Sequence, residues 1–126
     1  MTFALLLCTG VLAAKTKPRT AGLQNDYVVL ASENTLKDAE WKNVASALQG
    51  IHKATLLSYS KAPAEVLEKL RSVNPRYVAI VAPPEEINKA YVVDMHQLSR
   101  KMDNDVYADF VWGIVNGYDA SDAMEM

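Results

Sequence analysis

One cysteine, five glycines, five prolines and two histidines in 126 residues leave little material for several common kinds of chemistry. The lone thiol, Cys8, has no partner for an intrachain disulfide, so the fold must be held by its core and not by cross-links. Neither His52 nor His96 has a cysteine, serine or second histidine at a spacing that marks a catalytic dyad. Both read as solvated helix residues. No glycine-rich phosphate loop, Walker motif or dinucleotide fingerprint occurs, which removes the usual nucleotide-binding signatures. A formal net charge of -2 with scattered basic residues gives no field for nucleic acid, and no apolar run is long enough to cross a bilayer as a helix.

What is present is globular composition. Half of the residues are apolar and 22% are charged, and a chain of this length fits one domain that buries roughly two thirds of its unfolded surface. Residues 4–14 (ALLLCTGVLAA) form an apolar run ending in small residues, the shape of a signal-peptide core, and predict export with cleavage after Ala13 or Ala14. The segment before this run carries no positive charge, unlike an ordinary leader. Residues 15–25 then read as a flexible lead-in, and residues 26–126 as an α/β domain.

Within that domain apolar runs alternate with helical periodicity. Strands are expected at residues 27–31 (YVVLA), 54–59 (ATLLSY), 77–82 (YVAIVA) and 110–115 (FVWGIV). Thr35 is expected to open the first helix, which carries Trp41, Val44, Ala45 and Leu48 on one face and ends at Gly50. Pro63 opens a second, with Val66, Leu67, Leu70 and Val73 inward and Asn74-Pro75 as its stop. Pro83-Pro84-Glu85-Glu86 sets the entry of a third helix, about four turns long, along which Ile87, Tyr91, Met95, Leu98 and Met102 form the apolar stripe. This alternation predicts a doubly wound parallel sheet of about four strands in the order 2-1-3-4, with Trp41, Leu70, Ile80 and Val81 in the core.

The loops that follow strands in such a sheet share its C-terminal edge, where ligands bind. The binding candidates there are Ser32, Glu33 and Asn34 after the first strand, Glu85 after the third, and Asn116, Tyr118 and Asp119 after the fourth. Ordinary capping competes with that role, since Gly117 can supply a turn and Asp119 can cap the next helix. Asp103, Asp105 and Asp109, with Asn104, offer oxygen ligands of the kind calcium takes, yet Ala108 and Ile114 stand where an EF-hand needs a glycine and a bidentate acid. The alternative is a solvated turn in which Asp109 bonds backbone groups.

Three segments together carry a family likeness. Tyr107-Ala-Asp109 leading into the glycine-containing strand at 110–115 and the acidic helix start at Asp119, the run from Pro75 to Glu85, and the run from His96 to Tyr107 resemble the N-terminal half of gingipain-type cysteine peptidases, relatives of the caspases. The likeness covers roughly Asp26 to the C-terminus, and Ile114 departs from it where many members carry an arginine. It implies a caspase-like or flavodoxin-like sheet, peptide-bond cleavage by thiolate attack in the parent protein, and a catalytic histidine and cysteine beyond Met126. This chain alone is then expected to be inactive, to lack catalytic residues and a cofactor, to have the rest of the catalytic domain as its partner, and to contribute to a peptide or protein substrate groove. The competing expectation is a small exported flavodoxin-like binding or interaction domain without catalysis.

Overall fold

The computed structural model describes residues 26–126, so the expected leader, the lead-in and Cys8 lie outside the described residues. Four strands, β1 (Tyr27–Ser32), β2 (Thr55–Tyr59), β3 (Tyr77–Val81) and β4 (Val111–Val115), pair in the order β2-β1-β3-β4, all parallel. Val29 of β1 sits in register with Leu56 on one side and Ala79 on the other. Because successive side chains alternate between faces, a strand covered on both sides must be apolar throughout, and residues 28–31 are fully buried.

The helices divide between the two faces as the strand order requires. The chain steps one way from β1 to β2 and the opposite way thereafter, so crossovers of constant hand place their helices on opposite faces. On one face, α2 (Ala39–His52) contributes Trp41, Val44 and Ala45, and α5 (Ala120–Glu125) contributes Ala120 and Ala123, packed with Val29, Ala31 and Val81. On the other, α3 (Leu67–Val73) and α4 (Lys89–Leu98) bury Leu70, Tyr91, Met95 and Leu98 against Val28, Leu30, Val78 and Ile80. Trp41 keeps 7% of its surface exposed, and Leu70, Ile80 and Val81 none, which agrees with the core read from the sequence.

Helix boundaries differ from the sequence reading in several places. Ser32, not Thr35, opens the first helical segment: its Oγ accepts from the Thr35 N–H at 3.0 Å and caps the short helix α1 (Glu33–Lys37). Asp38 then breaks the helix with extended backbone and caps α2, its Oδ1 accepting from Glu40 N–H at 2.9 Å and from Trp41 N–H. Gly50 does not end α2. The helix runs on to His52, whose ring stacks on Tyr27 with centroids 4.1 Å apart, and Lys53 turns it off in the left-handed region at φ 51°. The third helix is also shorter than four turns, because Pro84–Glu86 form a separate 3-10 turn and Asn88, its Oδ1 accepting from Tyr91 N–H at 2.9 Å, caps α4. Pro63 opens a 3-10 turn, Pro63–Val66, that leads into α3.

Among the described residues no helix is long and apolar enough to cross a membrane.

Candidate functional site

The strand order changes direction between β1 and β3, and the loops leaving their C-terminal ends part there to leave a crevice. A pocket of about 240 Å³ occupies it. Ser32 and Asn34 line it from the end of β1, Tyr59, Ser60 and Lys61 from the end of β2, Glu85 and Glu86 from the turn after β3, and Asn88 and Tyr91 from the start of α4.

Glu86 organises the pocket floor. The 3-10 turn after Pro83, closed by Ile87 N–H donating to the Pro84 carbonyl at 3.2 Å, folds the glutamate back toward α1. Its Oε1 accepts from the Ser32 hydroxyl at 2.7 Å and from the Thr35 hydroxyl at 2.8 Å. Both hydroxyls belong to buried residues, so the carboxylate satisfies groups that would be costly to leave unpaired. Its other oxygen, Oε2, takes no part in these bonds.

The pocket's second polar pair is Tyr59 and Tyr91, whose hydroxyls share a hydrogen bond at 2.8 Å. Burial raises both phenol pKa values, and the charge of Glu86 raises them further, so both phenols stay protonated through the neutral range. The loop after β2 is fixed by Glu65, whose carboxylate accepts from the backbone N–H groups of Ser60, Lys61 and Ala62 at 2.9 to 3.2 Å. These bonds to the ionised form hold Glu65 below the usual carboxylate range. They also set the position of Ser60 and Lys61 at the pocket rim.

Of the binding residues expected from sequence, Ser32, Asn34 and Glu85 line this pocket. Glu33 is exposed at the start of α1 and does not line it. Asn116, Tyr118 and Asp119 follow β4, which β3 separates from the crevice. There Tyr118 is 92% exposed, and Asp119 caps α5 by accepting from Asp122 N–H at 3.0 Å. Gly117 stands where α5 comes closest, since a Cβ added there would lie 2.7 Å from the Ala123 nitrogen. Sequence reasoning missed Tyr59, Ser60, Lys61, Glu86, Asn88 and Tyr91. Tyr59 and Ser60 were open to discovery, because they end a parallel strand at the same sheet edge. Tyr91 hid in the apolar stripe of its helix, and the Glu86 contact spans 54 residues.

The aspartates gather at the opposite, N-terminal edge. One carboxylate oxygen from each of Asp103, Asp105 and Asp109 lies within 4.8 Å of the others. Asp103 accepts from Asp105 N–H at 2.9 Å, Asp105 from Tyr107 N–H at 2.8 Å and Asp109 from Met102 N–H at 3.0 Å. Partial burial raises the Asp109 pKa, opposed by the Met102 bond and reinforced by the two neighbouring aspartates. These are the bonds of a polar turn.

Ser32 bonds a carboxylate and no imidazole. His52 lies at the far end of α2 against Tyr27, and His96 is exposed on α4. No family model, curated protein or solved structure matches this chain.

Proposed function

We propose that this chain is a noncatalytic binding domain that takes a small primary amine, or the amino end of a peptide, in the crevice between β1 and β3. The observation that carries this reading is the state of Glu86: Oε1 is held by Ser32 and Thr35, and Oε2 is left for a donor. Among the described residues that line the pocket, Glu85 and Glu86 set two carboxylates against the one cation of Lys61, which favours a positively charged group. The protonated Tyr59 and Tyr91 add a neutral polar wall.

Glu86→Gln tests the reading with little disturbance of the fold. The amide oxygen can still accept from Ser32 and Thr35, while the amide nitrogen that replaces Oε2 cannot accept from an ammonium. In a ligand-observed NMR screen of simple primary amines and dipeptides against the full chain, saturable binding is expected, weakened roughly tenfold or more in the variant. Wild-type chain that binds none of these probes, or E86Q that binds them equally well, contradicts it.

A second reading, the N-terminal part of a secreted gingipain-like cysteine peptidase or a noncatalytic homologue, is favoured by the apolar edge that β4 leaves unpaired among the described residues, against which further protein could pack. On that reading the pocket belongs to a larger peptide groove, and the histidine and cysteine lie beyond Met126. Both readings predict that this chain alone does not hydrolyse a peptide library. Reproducible hydrolysis that persists in the presence of a thiol-reactive inhibitor would overturn both.

A further inference from the structure

We infer that two copies of this chain pair through β4, antiparallel about a two-fold axis at Gly113, to form a continuous eight-stranded sheet. Among the described residues β4 ends the sheet with one edge unpaired. Val111 N–H donates to the Arg76 carbonyl and the Val115 carbonyl accepts from Ala82 N–H, so the backbone groups of the odd-numbered residues are used by β3. Alternation along the strand leaves those of Trp112 and Ile114 directed outward.

Only an antiparallel mate in one register uses this edge along its whole length. With Gly113 opposite Gly113 of the second copy, Trp112 faces Ile114 and Val111 faces Val115, and every residue of β4 has an opposite number. Trp112 and Ile114 then form the hydrogen-bonded pairs. Gly113 falls at the non-hydrogen-bonded position, where Cα atoms approach most closely, to about 4.5 Å. On the outer face the glycine meets nothing, because a Cβ added there finds no heavy atom within 4 Å.

The charge pattern agrees with self-pairing. Between residues 107 and 119 the charged side chains are Asp109 and Asp119 alone. Both lie outside β4, so the paired strands themselves set no acid against an acid. Lysine, proline and bulges, the usual guards of an exposed edge, are absent from β4. The flanking sheet surface is also open, with Val111 65% and Tyr77 44% exposed. The two-fold sets that uncovered N-terminal half beside the second copy's C-terminal half, which carries α5. A strand pair with this flank is small for a stable interface, so the dimer should dissociate on dilution.

The pairing does not depend on what the pocket holds, so its failure and that of the binding reading are separable. The test is sedimentation velocity on the full chain over a wide concentration range, with Gly113→Lys and Gly113→Glu measured alone and mixed. Thermal unfolding of each variant is measured alongside, with a cooperative transition as the condition for interpreting its sedimentation. We expect reversible dimerisation of the wild type, weakened about tenfold or more in each single variant by like charges facing across the axis, and recovered when G113K and G113E are mixed. A wild-type chain that stays monomeric throughout overturns the proposal. Dimerisation unchanged in folded G113K, or no recovery on mixing, overturns it too.

Discussion

Glu86 shows what a single residue reveals only in three dimensions. In the sequence it is one of two acids after a proline pair, plausible as a helix-entry charge. In the fold its carboxylate ties the turn after β3 to Ser32 and Thr35, because the parallel pairing of β1 and β3 brings their C-terminal ends together. Ser32 and Asn34 were legible as edge residues from the strand-loop-helix pattern alone. Glu86 and Tyr91 were not, since one depends on a long-range contact and the other sits on a helix face that also packs the core. Asp109 gives a residue-scale prediction about pH. Its folded pKa lies above the unfolded value, so the folded chain binds more protons in the window between them, and the Asp109 contribution to stability falls as pH rises through it. Asp109→Asn keeps an oxygen for the Met102 N–H and removes the charge. The stability of D109N relative to wild type, from denaturant titrations between about pH 3 and pH 7, is expected to rise with pH; a difference that is flat or falls would contradict the assignment.

The elements followed the sequence where tertiary packing and local propensity agree. All four strands appear within a residue of the apolar runs, and for the central β1 and β3 the reason is that a strand buried on both faces needs an unbroken apolar stretch and leaves one in the sequence. Helix ends were harder to read. Gly50 looks like a stop, yet the stacking of His52 on Tyr27 carries α2 past it, and Lys53 accepts the left-handed conformation that glycine would take more easily. Gly50 is therefore an interior helix glycine with open space around it. Gly50→Ala is expected to stabilise the chain by about 0.5 to 1 kcal/mol, read as a raised denaturation midpoint at unchanged slope. A loss of stability would mean that the helix does end at Gly50. The separate caps Ser32 and Asp38 were likewise hidden in a run that contains several capping residues in succession, and only the break in backbone conformation at Asp38 distinguishes them.

At the scale of the whole molecule, the α/β doubly wound sheet with order β2-β1-β3-β4 was legible because the alternation of strand and helix leaves few arrangements with crossovers of one hand. That topology creates the crevice between β1 and β3 and leaves β4 as an edge, so both proposals about function follow from the same strand order. The central claim is that the crevice, and not the loop after β4 or the aspartate turn, is where this chain binds. Assigned ¹⁵N–¹H NMR spectra of the full chain, recorded while the tightest-binding amine or dipeptide is titrated in, test it most directly. The account predicts saturable shifts centred on the amides of Ser32, Asn34, Ser60, Lys61 and Glu86, with Asn116, Tyr118, Asp103 and Asp105 unmoved. Shifts centred on residues 116–119 or 103–109, with the crevice amides silent, would contradict it.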